Sequence, residues 1–294
     1  MKIAIGPASV RLGEEIARDL DLGIVEVASK EFPDGETYVR VGEINKEDNI
    51  LLVQSMAPPQ AKNLMLLIQL VSAIRDRTDG RIMAVIPYLA FSRQDRAFLE
   101  GEAVSAKVVA RAVEANDVDQ LLIVEPHSTK SLSWFKVPVI SIDPIDDLAS
   151  FVKSSGDRKI VVAPDRGRMD EARKLAEMLG TEYGWVEKQR DRHTGEVTST
   201  IGSLPSGRET ILLFDDLIST GGTIASAAAL LKSHGIEKVE VATVHGLFAL
   251  EGDKKIMQSG VSSIYASDTI EGKYTAYSAA NSISRAVEKY AHEL

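Results

Sequence analysis

Short apolar runs alternate with amphipathic segments along the whole chain. Runs rich in Ile, Val and Leu predict buried strands, and they lie at residues 3–5, 50–53, 82–86, 120–124, 137–142, 159–163, 183–186, 211–214, 239–243 and 263–266. Segments with apolar residues every three or four positions predict helices, at residues 9–20, 63–75, 105–114, 169–179, 224–231 and 281–293. Ser9 is the predicted cap of the first helix. This alternation predicts a doubly wound α/β fold with mainly parallel sheets.

The pattern starts again after Asp143-Pro144, which is the predicted junction between two domains. A length of 294 residues also favours two domains of ordinary size. We therefore expect one domain over residues 1–143 and a second over residues 144–279. The final helix, within residues 280–294, is expected to join the first domain.

Composition and charge narrow the classes of function. The net charge of −9 argues against general nucleic-acid binding. The absence of cysteine excludes disulfides, zinc–thiolate sites and thiol nucleophiles. The apolar runs are too short for a membrane span. The first residues form a predicted strand and have no signal-peptide pattern, so we expect a cytoplasmic protein.

Residues 211–223 combine an apolar strand, two acids and a Gly/Thr turn that leads into a helix. Unpaired N–H groups at the start of a helix suit a phosphate, and here they follow the turn Ser219-Thr220-Gly221-Gly222-Thr223. Asp215 and Asp216, predicted at the end of the strand, would repel a bare phosphate but accept hydrogen bonds from sugar hydroxyls. The segment therefore predicts a site for a phosphorylated ribose. A strand–turn–helix unit without a ligand is the alternative.

Two further segments carry the side chains that a nucleotide site needs. In Phe32-Pro-Asp-Gly-Glu36 the ring can stack on a base, and the carboxylates can accept hydrogen bonds from amino or hydroxyl groups. Arg93 and Arg96 follow the strand at 82–86, at the sheet edge where open α/β sheets bind ligands, and can hold phosphates. An ordinary surface turn is the alternative for both segments.

Four more residues are candidates for metal binding or catalysis. His127 and Asp165 follow two predicted strands and could share one divalent metal ion. Lys188 and Arg190, two positions apart in extended chain, face the same side. Next to a phosphate loop they are candidates for stabilising charge on a transferring phosphoryl group. A structural histidine and a solvated basic face are the alternatives.

Taken together, these motifs resemble the ribose-phosphate pyrophosphokinase family. The resemblance rests on Phe-Pro-Asp-Gly-Glu at 32–36, Arg-Gln-Asp-Arg at 93–96 and Asp-Asp…Thr-Gly-Gly-Thr at 215–223, which occur in the family's order. The short chain is similar to archaeal members. The chain departs from the family pattern at Ser219, where many members have an acid, and at Arg166 and Arg168, where smaller or neutral residues are common.

The resemblance implies two phosphoribosyltransferase-like domains of type I, and a homo-oligomer whose ATP site lies between subunits. It also implies a role for each matching residue. The roles are ATP binding for Phe32, Asp34, Gly35, Glu36, Arg93 and Gln94; Mg²⁺ binding for His127 and Asp165; catalysis for Lys188 and Arg190; and ribose 5-phosphate binding for Arg190, Asp215, Asp216, Ser219, Thr220, Gly221, Gly222 and Thr223.

The expected reaction transfers pyrophosphate from ATP to the C1 hydroxyl of ribose 5-phosphate and releases AMP. Two other functions are kept as alternatives. A phosphoribosyltransferase that consumes phosphoribosyl pyrophosphate would explain residues 215–223 but not 32–36 or 93–96. A non-catalytic regulatory subunit would keep the fold, but the intact Lys188, Arg190, His127 and Asp165 argue against it. No partner nucleic acid or membrane is expected.

Overall fold

A computed structural model describes residues 1–190, 197–203 and 210–291, without the side chains of residues 188–190, 197–199 and 203. The chain divides into two compact units. The first comprises Met1–Pro144, Asp268–Glu271 and Ser278–Leu294, and the second comprises Ile145–Ser267 and Gly272–Tyr277. The domain boundaries stay a prediction. The unit boundaries differ from them because Pro144, Asp268–Glu271 and residues 278–279 belong to the first unit.

The first unit is built on a parallel sheet with an attached hairpin. Its strands are β1 (Lys2–Ile5), β2 (Gly23–Val25), β3 (Val27–Glu31), β4 (Thr37–Val41), β5 (Ile50–Val53), β6 (Ile82–Ile86), β7 (Gln120–Val124) and β8 (Val139–Ile142). Its first helices are α1 (Val10–Asp19), α2 (Gln60–Arg75), α3 (Ser105–Glu114) and α4 (Thr129–Leu132). The strand order is β2-β1-β5-β6-β7-β8, and β3 and β4 form a separate antiparallel pair. Strands β5, β6 and β7 are buried along their whole length.

Ser9 stands at the predicted cap position of α1, but its side chain does not cap the helix. The Ser9 hydroxyl oxygen instead accepts a hydrogen bond of 2.8 Å from the backbone N–H of Ser55, in the segment that follows β5. The prediction that the Ser9 side chain caps the helix was therefore wrong, because the buried N–H of Ser55 uses the same oxygen.

The second unit is built on a larger sheet. Its strands are β9 (Lys159–Ala163), β10 (Tyr183–Arg190), β11 (Val197–Ser203), β12 (Thr210–Ile218), β13 (Val239–Gly246), β14 (Ser263–Ser267) and β15 (Thr275–Tyr277). Its helices are α5 (Ile145–Ser154), α6 (Met169–Leu179), α7 (Gly222–Ser233) and α8 (Gly252–Gln258). The order is β11-β10-β9-β12-β13-β14-β15, with β11 antiparallel to β10 and the other pairs parallel. Apolar side chains of β9, β12, β13 and α7 form its core.

The last helix, α9 (Ala280–Tyr290), belongs to the first unit, where it packs against α1, β7 and β8. Ile283 and Val287 are the large apolar side chains that it buries. In the part of the chain that the structure describes, no helix is long and apolar enough to cross a membrane.

Two predicted boundaries near the phosphate loop were wrong. Strand β12 continues to Ile218, four residues beyond the predicted end at 214, so Asp215 and Asp216 lie inside it. Residues Leu217 and Ile218 still pair with β13, which explains why the strand does not end at the acids. Helix α7 begins at Gly222, two residues earlier than predicted, so Gly222 and Thr223 belong to its first turn.

Candidate active site

The turn between β12 and α7 is partly accessible: Thr220 is exposed, Gly222 and Thr223 are half-buried, and Gly221 is buried. Gly221 precedes α7 in the left-handed conformation, with φ of 70° and ψ of 0°. A Cβ atom at Gly221 would lie 2.5 Å from the carbonyl oxygen of Gly252, where α8 begins. Two features therefore require glycine at position 221: the left-handed backbone conformation and the close approach of a second backbone segment. The N–H groups of the first turn of α7 have no partner within the helix and are suited to hold a phosphate.

The acid pair at the end of β12 is held by an arginine from a different element. Arg168, at the start of α6, makes a close ion pair with Asp216 and lies 3.8 Å from Asp215 (Nε to Oδ1). Its Nη1 lies 3.0 Å from Oε1 of Glu171. The Asp216 side chain is only 3% exposed, so the guanidinium supplies the charge partner that a buried carboxylate requires.

Burial and charge shift the proton affinities of this cluster. Burial and the neighbouring Asp216 carboxylate raise the pKa of Asp215 to about 8, against an opposing effect of Arg168 and with a further contribution from Asp165. Burial alone would lower the pKa of Arg168, but Asp216, Glu171 and Asp215 outweigh burial and raise it. Arg168 therefore stays charged, whereas Asp215 gains a proton more readily than an ordinary aspartate.

Asp165 lies near the same sheet edge, two residues after β9, the strand that pairs with β12. It does not end the strand as predicted; it begins a short 3₁₀ turn (Arg166–Arg168), and its Oδ1 accepts the N–H of Gly167 at 2.9 Å. Its side chain is half-buried. A carboxylate in this position is a suitable oxygen ligand for Mg²⁺.

The Phe32–Glu36 segment forms the tip of the β3–β4 hairpin. The N–H of Phe32 donates to the carbonyl of Glu36 at 2.8 Å, and the N–H of Gly35 donates to the carbonyl of Phe32 at 2.9 Å. Gly35 has φ of 92°, a conformation that favours glycine. Phe32 is 39% exposed, and its ring packs edge-on against Tyr38 at 6.3 Å between centroids. The tip therefore presents an aromatic ring and the carboxylates of Asp34 and Glu36 to solvent.

Arg93 and Gln94 lie in the turn region between β6 and α3, where Arg93 is exposed and Gln94 is half-buried. The Gln94 side-chain oxygen accepts a hydrogen bond of 2.6 Å from the hydroxyl of Ser105, the first residue of α3. Gln94 is thus fixed by a structural contact, whereas the Arg93 side chain extends into solvent.

His127 follows β7, the neighbour of β6, and is exposed. The segment after β7 contacts the segment after β6, because the hydroxyl of Ser128 donates a hydrogen bond of 2.7 Å to Oδ2 of Asp95. His127 belongs to the first unit and Asp165 to the second. Among the described side chains, no three of His, Asp or Glu converge where a metal ion could be held.

Lys188 and Arg190 are the predicted catalytic residues, and their backbones lie in β10. Their side chains are outside the part that the structure describes, so the predicted catalytic contacts stay a prediction. Arg168 is the residue whose importance the motifs missed. A cation at a helix start is unfavourable beside the positive end of the helix dipole, so an arginine at this position indicates carboxylate partners nearby.

Comparison with known proteins now gives the family. The family model described as the N-terminal domain of ribose phosphate pyrophosphokinase matches residues 1–116, and the phosphoribosyl transferase domain matches residues 140–273. The ribose-phosphate pyrophosphokinase of Sulfurisphaera tokodaii is 40% identical over 274 residues, 92% of this chain and 93% of the relative. The chain belongs to the ribose-phosphate pyrophosphokinase family. The protein of the same name from Sulfolobus acidocaldarius is 38% identical over 98% of this chain and its own full length.

A solved structure of the same family supports the fold. The crystal structure of phosphoribosylpyrophosphate synthetase from Mycobacterium smegmatis is 25% identical, covers 100% of this chain and 99% of its own, and has a TM-score of 0.85. The predicted fold class of two phosphoribosyltransferase-like domains with mainly parallel sheets is thereby confirmed. Family membership also confirms the predicted enzyme class, a transferase of nucleotide biosynthesis that forms phosphoribosyl pyrophosphate from ATP and ribose 5-phosphate.

Proposed function

We propose that ribose 5-phosphate binds along the end of β12 and the start of α7. The main support for this proposal is the acid pair, Asp215 and Asp216, which lies close to a helix start that is preceded by a glycine in the left-handed conformation. The 5-phosphate would accept hydrogen bonds from the N–H groups at Ser219–Thr223, and the carboxylates would accept from the 2- and 3-hydroxyls. A phosphate and its sugar are then recognised by two adjacent but chemically opposite surfaces.

The adenine side of ATP is assigned to the first unit. The exposed ring of Phe32 can stack on the base, while Asp34 and Glu36 accept hydrogen bonds from its amino group or ribose. The Arg93 guanidinium can hold phosphate oxygens, and Gln94 adds an amide next to it. The hairpin tip presents its ring to solvent, which is consistent with an ATP site completed by a second copy of the chain. We therefore propose a homo-oligomer, located in the cytoplasm.

Asp165 and His127 are each proposed as a ligand of Mg²⁺. Either side chain leaves room for water and for substrate phosphate oxygens, which suits an ion that keeps several waters. The ion, when bound, supplies positive charge to the polyphosphate. The exposed His127 and the half-buried Asp165 are both accessible to a ligand of this size.

Catalysis is assigned to positioning and to two cations. The acid pair and the phosphate loop would hold the sugar so that its C1 hydroxyl faces the β-phosphorus of ATP, which favours attack by an ordinary hydroxyl. Lys188 and Arg190 would stabilise the charge that develops on the transferring group, and Arg190 would also contact ribose 5-phosphate. A bond forms between the C1 oxygen and the β-phosphorus, while the bond between that phosphorus and the α,β-bridging oxygen breaks. AMP leaves with the bridging oxygen, and the proton of the C1 hydroxyl passes to water.

Purified protein with ATP, ribose 5-phosphate and Mg²⁺ should give AMP and phosphoribosyl pyrophosphate in equal amounts. Asp215→Asn should raise the KM for ribose 5-phosphate and leave the KM for ATP unchanged. Phe32→Ala should do the reverse. If each variant changed both constants equally, the division into two substrate sites would be wrong.

Mixing two variants tests the shared ATP site. Phe32→Ala and Arg93→Ala each remove one side of the proposed site. If the site lies between subunits, mixed oligomers contain one site with both side chains intact, and activity at low ATP should recover after subunit exchange. If both residues served a site within one chain, mixing would restore nothing.

A further inference from the structure

Arg168 is placed by α6 and the preceding turn at the acid pair of β12. Its side chain is 18% exposed, and its guanidinium reaches three carboxylates, those of Asp216, Asp215 and Glu171. Guanidinium presents five donors in a rigid fork, so one side chain can fix several carboxylates in defined directions. By contrast, Arg166 is 73% exposed and lies 3.5 Å from Glu187, an ordinary surface pair.

Arg168 contacts the two acids differently. Asp216 is 3% exposed and makes the close ion pair, whereas Asp215 is 15% exposed and lies 3.8 Å from the guanidinium. The backbone N–H of Asp216 donates to Oδ1 of Asp215 at 3.0 Å. The same Oδ1 therefore accepts a hydrogen bond from this N–H and lies within ion-pair distance of the guanidinium. Both contacts restrict the position of this oxygen.

The charges of Arg168 and the acid pair also affect how a sugar phosphate can approach. A charged Asp216 would repel a phosphate monoester that approaches the start of α7, only a few residues further along the chain. The guanidinium of Arg168 cancels this charge, and in a site of low dielectric the cancellation is stronger than in water. Orientation of Asp215 and reduction of repulsion both favour the binding of a sugar phosphate.

We propose that Arg168 is a positioning residue for ribose 5-phosphate, which holds Asp216 as its counter-ion and thereby orients Asp215 towards the sugar hydroxyls. This proposal rests on the assignment of the acid pair to ribose 5-phosphate. Arg168 acts through the two acids and need not touch the substrate. Its loss should therefore weaken the affinity for ribose 5-phosphate and leave ATP affinity unchanged.

The test compares three variants by steady-state kinetics with each substrate varied in turn. Arg168→Ala should raise the KM for ribose 5-phosphate by roughly 10- to 100-fold, the loss expected when a misplaced Asp215 no longer accepts a hydrogen bond from a sugar hydroxyl. The KM for ATP should stay within about twofold. Arg168→Lys restores the charge without the fork, so it should recover part of the affinity. Arg166→Ala, the matched control, should behave as the unchanged protein.

Several results would overturn the proposal. An unchanged KM for ribose 5-phosphate in Arg168→Ala does so, and so does an equal rise in both KM values, which indicates a general structural role. If Arg168→Ala does not fold, Arg168→Lys decides alone. It should keep the unfolding midpoint and raise the KM for ribose 5-phosphate about threefold or more, and an unchanged value contradicts the proposal.

Asp215→Asn separates this proposal from the assignment on which it rests. If Asp215→Asn leaves the KM for ribose 5-phosphate unchanged, the acid pair does not bind the sugar and both ideas fail. If Asp215→Asn raises this KM and Arg168→Ala does not, the sugar site stands and only the role of Arg168 is wrong.

Discussion

Substitution of Gly221 by alanine tests whether the phosphate loop depends on a backbone-to-backbone contact. The residue has φ of 70°, and its Cβ would lie 2.5 Å from the Gly252 carbonyl oxygen. An alanine in the left-handed region costs about 1–2 kcal/mol, of which about 0.4–1 kcal/mol is offset by a less flexible unfolded chain. A carbon–oxygen contact needs about 3.3 Å, so one backbone must move by roughly 0.8 Å, which adds about 1–3 kcal/mol.

Gly180→Ala is the matched control for this prediction. Gly180 has φ of 65° in the same unit, but a Cβ there would meet nothing within 4 Å. Both variants carry the left-handed cost, and only Gly221→Ala carries the contact. Urea unfolding should therefore show Gly221→Ala less stable than Gly180→Ala by about 1–3 kcal/mol, and only Gly221→Ala should raise the KM for ribose 5-phosphate. Equal stabilities together with an unchanged KM would show that the loop does not depend on this contact.

Three further predictions concern charged groups. Because the pKa of Asp215 is raised on folding, the folded protein binds the carboxyl proton more tightly than the unfolded chain does. The free energy of unfolding, measured with urea and compared with that of Asp215→Asn, should therefore fall as pH rises from about 4 to 8. A difference between the two proteins that does not depend on pH would contradict the raised pKa. Lys159→Met removes a partner of Glu240, and both side chains are only 3% exposed. The free energy of unfolding in the same assay should fall by about 3 kcal/mol, which is the lower end for a broken buried ion pair. The lower end applies because Lys238 remains paired with Glu240. Lys188→Ala should lower kcat by roughly 10²–10³-fold, and full retention of rate would remove it from catalysis.

The sequence predicted the parts of the fold whose pattern is determined locally. Strands such as β6 are apolar along their whole length, and the motif at Ser219–Thr223 indicated a strand that gives way to a helix through a turn. The predicted end of β12 was wrong because Asp215 and Asp216 interrupt the apolar run from which the strand was predicted. Their burial depends on Arg168, which precedes Asp216 by 48 positions along the chain. No local pattern contains that information.

The hairpin and the short strands were harder to predict for a related reason. Strand β3 is largely exposed along its length, so it lacks the apolar alternation that identifies a half-buried strand. The β3–β4 pair is connected instead to α2 through Gln69, whose amide donates to the Thr37 carbonyl at 3.1 Å and whose oxygen accepts the Thr37 hydroxyl at 2.9 Å. Polar contacts between distant segments stabilise such an element, and the composition of the strands does not indicate them.

The position of α9 affects the order in which the chain can fold during synthesis. This helix completes the first unit by packing on α1, β7 and β8, yet the ribosome makes it after the whole of the second unit. A nascent chain that stops at Pro144 would leave the partners of Ile283 and Val287 exposed. The second unit can therefore complete its core first, although its residues emerge later than most of the first unit. A fragment of residues 1–144 should accordingly depend on an added α9 peptide for stability.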